Sequence, residues 1–168
     1  MRPKESIRGS SPEIEVVVEH DAWNTVAPDV ARKVEHAAGL ALQRASAAMS
    51  NADVVILLTD DERLRMLNRE YRGKDNATNV LSFPAAPNTG HLGDIAIAYG
   101  VAKREADTAS KPLLHHALHL TVHGVLHLLG YDHGEPAEAD RMETLEAEIL
   151  AEMDVADPYV QSESVQTP

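Results

Sequence analysis

Short β-branched runs alternate along this chain with longer stretches whose apolar residues return every three to four positions. Ile14 to Glu19 reads as a strand, and Val54 to Leu58, an unbroken run of Val, Ile and Leu, reads as a strand buried on both faces. Between them, Ala27 to Met49 carries Val30, Val34, Ala37, Ala38, Ala41, Leu42 and Ala45 at helical spacing, with Gly39 as an internal weak point. Thr59-Asp-Asp-Glu62 has the spacing of a capping box, so a helix is expected from Asp60 to about Tyr71, closed by Gly73. Thr78 to Phe83 and Gly93 to Tyr99 are further β-prone runs, separated by a loop over 84–92.

Three helices follow in the pattern. One covers about Val101 to Thr108. The next is framed by Pro112 at its start and Gly130 after its end, and the last runs from Glu135 to Met153 with Met142, Leu145, Ile149 and Leu150 facing inward. The order predicts an α+β fold, a small mixed sheet of about four strands packed with some five helices, with a cleft between sheet and helix for a substrate. One domain is expected over 13–156, with tails at 1–12 and 157–168.

The helix between Pro112 and Gly130 also carries the chemistry. His123 and His127 are four residues apart, on one helical face and about 6 Å apart along the axis. Gly130 permits a left-handed turn, after which His133 can swing back toward the first two rings. Three imidazoles with a fourth position for water is the pattern of a catalytic zinc, whereas structural zinc sites are closed and usually thiolate-rich. The spacing matches the frame of the metzincin peptidases, which place a glutamate directly after the first histidine as general base. Here that position is Gly124, so peptide hydrolysis by that route lacks its base.

Composition narrows the setting. The chain of 168 residues has no cysteine, which removes disulfides and thiolate ligands and suits a cytoplasmic location. Five histidines interrupt its most apolar long stretch, Leu113 to Leu129, which argues against a membrane span. The net charge of −12 argues against a nucleic-acid partner, yet residues 132–168 hold eleven carboxylates against one arginine. Arg63, Arg65, Arg69, Arg72 and Lys74 fall close together, although interleaved carboxylates favour a solvated helix face for most of them.

Three segments carry a resemblance to a known family: His123-Gly-Val-Leu-His-Leu-Leu-Gly-Tyr-Asp-His133, Leu67-Asn-Arg-Glu-Tyr-Arg-Gly-Lys-Asp-Asn-Ala-Thr-Asn-Val-Leu-Ser-Phe-Pro84 and Leu92-Gly-Asp-Ile95, with Asp157-Pro-Tyr159 beyond them. Together they resemble the YbeY family of bacterial ribosomal RNA maturation factors, described as single-strand-specific, metal-dependent endoribonucleases. The resemblance implies one metal ion held by His123, His127 and His133 (zinc, or another divalent cation), and a functional arginine at Arg72. It implies single-stranded RNA as substrate, 16S rRNA 3′-end maturation and ribosome quality control as the setting, and a small-subunit ribosomal protein as partner. No DNA and no membrane are expected.

Around that core, Asp132 either orients an imidazole or caps the turn after the helix, and the sequence leaves both open. His119, on the same stripe as the ligands, is expected to hydrogen-bond or line the cleft, with His115 and His116 on the surface. Ser82 and Asn79 are candidates for the cleft wall, while no motif places a glutamate as general base. Two other readings stand beside the nuclease. One is a non-catalytic assembly factor whose metal pins the helix end; the other is a metal-dependent hydrolase of another substrate.

Overall fold

The computed structural model describes residues 13–45, 53–87 and 89–160. Four strands form one mixed sheet: β1 (Ile14–Val18), β2 (Asp53–Thr59), β3 (Val80–Pro84) and β4 (His91–Ala98). Their order is β1-β2-β4-β3. The first three run parallel, with Val16 beside Ile56 and Leu58 beside Ile97. β3 lies antiparallel on the outer edge of β4, with Ser82 beside Ile95. Five α-helices complete the α+β fold: α1 (Val30–Ala45), α2 (Asp61–Arg72), α3 (Tyr99–Thr108), α4 (Leu113–Leu128) and α5 (Pro136–Ala151). No helix among the described residues is long and apolar enough to cross a membrane.

The two-residue period of the strands sorts their side chains between two cores. Val54, Ile56, Leu58, Ile95 and Ile97 point into the larger one, with buried residues of α1, α4 and α5. Leu81, Ala96 and Ala98 point to the other face, where Leu64 and Leu67 of α2 cover them. α1 is continuous through Gly39, where an added Cβ would meet only Ile14 Cδ1 at 3.7 Å. Its expected extension over residues 46–49 falls outside the described residues.

Two features differ from expectation. The capping residue of α2 is Asp60, not Thr59: its carboxylate accepts from Arg63 N at 2.9 Å, and the helix starts at Asp61. Thr59 is still part of β2, and its hydroxyl donates to Glu19 Oε1. The linker after β1 contains a 3₁₀ turn, Asp21–Thr25, that apolar periodicity does not announce. It buries Trp23 completely and sends the indole N–H to Thr59 O at 2.9 Å.

Candidate metal centre

α4 starts after Pro112, which lacks the N–H that a first helical turn leaves unpaired. At its other end Tyr131 N bonds Leu126 O and Gly130 N bonds His127 O, both at 3.0 Å. That pair of bonds is a Schellman closure, and Gly130 takes the left-handed conformation it needs at φ 100°. The chain therefore reverses directly behind His127, and His133 returns over the helix end.

The three rings meet there. The His123 and His127 centroids lie 4.6 Å apart, and His133 lies 5.2 Å from the first and 5.1 Å from the second. One ring nitrogen from each falls within 4.8 Å of the other two. Burial, with the neighbouring His123 and His133 rings, pushes the His127 pKa below its ordinary value. Neutral imidazole is the form a metal requires, so this donor set fits a borderline divalent cation such as zinc.

A carboxylate that sequence reasoning missed stands behind the cluster. Glu146 of α5 is fully buried. His123 Nδ1 lies 2.6 Å from its Oε2, His119 Nε2 lies 3.1 Å from its Oε1, and the Tyr159 hydroxyl donates to Oε1 as well. Burial pushes the Glu146 pKa up, but hydrogen bonds from His119, His123 and Tyr159 outweigh it and hold it down to about 2. Glu146 is therefore ionised at neutral pH, and its ring partners act as donors. The available signal was its phase: Met142, Glu146, Ile149 and Leu150 share the buried face of α5. Tyr159, within the stretch expected as a tail, packs back onto His119 and Glu146.

The remaining candidates separate. His119 Nε2 lies within hydrogen-bond distance of Glu146 Oε1 and of the Tyr159 hydroxyl. His116 does not lie on the surface: its side chain is 12% exposed and bonded to Glu105, since α3 packs beside it. Asp132 caps the turn, accepting from His133 N at 2.8 Å, and bonds no imidazole among the described residues. Asn79 is held by Glu105, the carboxylate that also holds His116, so it does not join the three rings. Ser82 ties the edge strand to α4 by donating to Gly124 O at 3.1 Å. Gly124 itself faces the sheet, where an added Cβ would meet Ile95 at 3.1 Å and Ser82 Oγ at 3.3 Å. Helix and strand pack closely at this position, which leaves little room for a longer side chain after His123.

Arg72 closes α2 and reaches the free edge of β3. Its guanidinium donates to Ser82 O at 2.6 Å and sits 5.6 Å from the Phe83 ring centre. Arg63, Arg65 and Arg69 each face a carboxylate, in exposed pairs that contribute little. Arg72 has no carboxylate partner among the described residues, and one hydrogen bond leaves most of its donor fork available.

Comparison with known proteins bears on this arrangement. Residues 17–154 match a family model described as Endoribonuclease YbeY. A protein of that name from Bradyrhizobium sp. (strain BTAi1 / ATCC BAA-1182) is 48% identical over 161 residues, covering 90% of this chain and 95% of the relative. Another, from Rhodopseudomonas palustris (strain BisB18), is 46% identical over 92% of this chain and 96% of its own. Among solved structures, TM1509 from Thermotoga maritima has a similar fold, with a TM-score of 0.54 over 88% of this chain and 99% of that one at 21% identity.

Proposed function

Because this chain belongs to the YbeY family, we propose that it is a metal-dependent endoribonuclease that cleaves single-stranded RNA at the His123, His127 and His133 cluster. The observation that carries the proposal is the meeting of three imidazole nitrogens within 4.8 Å at a helix end closed by Gly130. Zinc is the proposed ion, in agreement with an all-nitrogen, cysteine-free donor set. When bound, a divalent cation there would supply Lewis acidity, lowering the pKa of a water toward neutrality or drawing charge from a phosphoryl oxygen.

The chain's own residues do the rest. His123 and His127 are fixed by the helix, and His133 by the turn that Asp132 caps. Arg72, anchored by one hydrogen bond to the edge strand, presents its remaining donors to a phosphate and meets the charge that gathers on it. The biological setting proposed is maturation of the 16S rRNA 3′ end and ribosome quality control, with a small-subunit ribosomal protein as partner. The acidic C-terminal stretch, residues 132–168, opposes tight binding of RNA alone, so a protein partner would supply part of the affinity.

Arg72 gives a direct test. Arg72→Ala is expected to lower cleavage of a single-stranded RNA by about a hundredfold, the scale for loss of one transition-state donor. Metal content should stay unchanged, and Arg72→Lys should recover only part of the rate, because an ammonium lacks the fork. Cleavage at the native rate by Arg72→Ala would remove this residue from the mechanism.

A further inference from the structure

Glu146 is the one carboxylate that is fully buried among the described residues, and no lysine or arginine pairs with it. Its neighbours on that helix face, Met142, Ile149 and Leu150, are all apolar. An apolar residue of similar volume would avoid the cost of desolvating a charge, so core packing does not account for a glutamate here. Its hydrogen bonds point to another role. Oε2 faces His123 Nδ1, while Oε1 receives both His119 and Tyr159.

A histidine whose Nδ1 proton is held by a carboxylate has its tautomer and ring plane fixed, and it offers Nε2 as the free donor. We propose that Glu146 is a positioning residue for the metal centre: it holds His123 so that Nε2 faces His127 and His133, and Tyr159 and His119 hold Glu146 in turn. The inference rests on reading His123 as a ligand. Glu146 does not serve as a general base toward substrate, because the side chain is fully buried and both oxygens are already occupied. The role extends the working site to Tyr159, beyond the last helix. This residue is 38% exposed and bonds both His119 and Glu146, so the segment after α5 fastens the support of the metal centre from outside.

His119, His123 and Glu146 also stand close enough to hold a cation themselves. A cation there would take His123 through Nδ1 and displace the hydrogen bond described above. A cation there in addition to one at the three rings would raise the count to two per chain, which makes that arrangement separable.

The experiment is zinc titration of the metal-free protein against a chelator of known affinity, with cobalt(II) spectra of the same variants. Glu146→Gln preserves size but replaces one acceptor oxygen with a donor. It is expected to weaken zinc binding by about 10- to 100-fold and to alter the cobalt visible bands, with one ion per chain throughout. Tyr159→Phe, on a partly exposed side chain, is expected to weaken binding in the same direction by less. Should Glu146→Gln fail to fold, native zinc affinity and an unchanged cobalt spectrum in Tyr159→Phe overturn the proposal. In a folded Glu146→Gln, unchanged affinity and spectrum do the same, as does a second bound zinc that Glu146→Gln abolishes. His123→Ala serves as the reference. If it keeps native zinc affinity, the ligand reading fails; if it loses affinity while Glu146→Gln keeps it, only the positioning role fails.

Discussion

His123→Ala is expected to lose tightly bound zinc and to cleave single-stranded RNA at least about a thousandfold more slowly. Loss of a single transition-state donor already costs about 10²- to 10³-fold, and loss of the ion removes more than one donor. Of the three rings this one has the widest reach, because it faces His127 and His133 on one side and Glu146 on the other. Its removal also strips a donor from a buried carboxylate, which should destabilise the metal-free protein by about 1–3 kcal/mol. His123→Gln, which restores an N–H, separates the two effects: it is expected to recover stability more than cleavage. Elemental analysis after dialysis, a urea titration and an RNA cleavage assay read the three quantities. Cleavage undiminished in both His123→Ala and Arg72→Ala would end the nuclease proposal.

Gly93→Ala is expected to cost about 3 kcal/mol, at the upper end for overpacking. Gly93 lies in β4 opposite Pro84, and its added Cβ would fall 2.5 Å from Phe83 O and 2.7 Å from Leu128 Cδ2. The first contact is with main chain, which cannot rotate away. The second pushes on the residue that follows His127, so zinc affinity should fall together with the urea midpoint. Gly39→Ala is the matching control. It places a methyl group in ordinary contact with Ile14 inside a continuous helix, and it should raise stability by up to about 1 kcal/mol. Equal urea midpoints for the two variants would contradict this account of the β4 contact.

What could be read in advance follows from the range of the interactions. The helices and strands were legible because their signals are local: periodicity, capping residues, and a glycine behind His127. The convergence of His123, His127 and His133 was legible for the same reason, since eleven residues span the motif. Glu146 was not, because its partners lie 23 and 27 residues back along the chain and 13 ahead. Only its phase on α5 marked it, and a glutamate at an apolar position reads as noise until the facing helix is known. His116 was misplaced for a related reason: its burial depends on α3, whose packing no local pattern reports. The Thr59 cap failed on competition, since a threonine that suits a helix start suits a strand end equally well.

The buried indole of Trp23 gives this protein a built-in optical reporter. It is the sole tryptophan in the chain, packed edge-on against Tyr99 at 5.3 Å and bonded to the last residue of β2. Its emission should be blue-shifted in the folded state and move to longer wavelength as that junction opens. The signal arises where the 3₁₀ turn meets the end of β2 and the start of α3, away from the histidine cluster in the chain. Denaturation of each variant proposed above can therefore be followed by fluorescence without a label, in metal-free and metal-loaded protein alike.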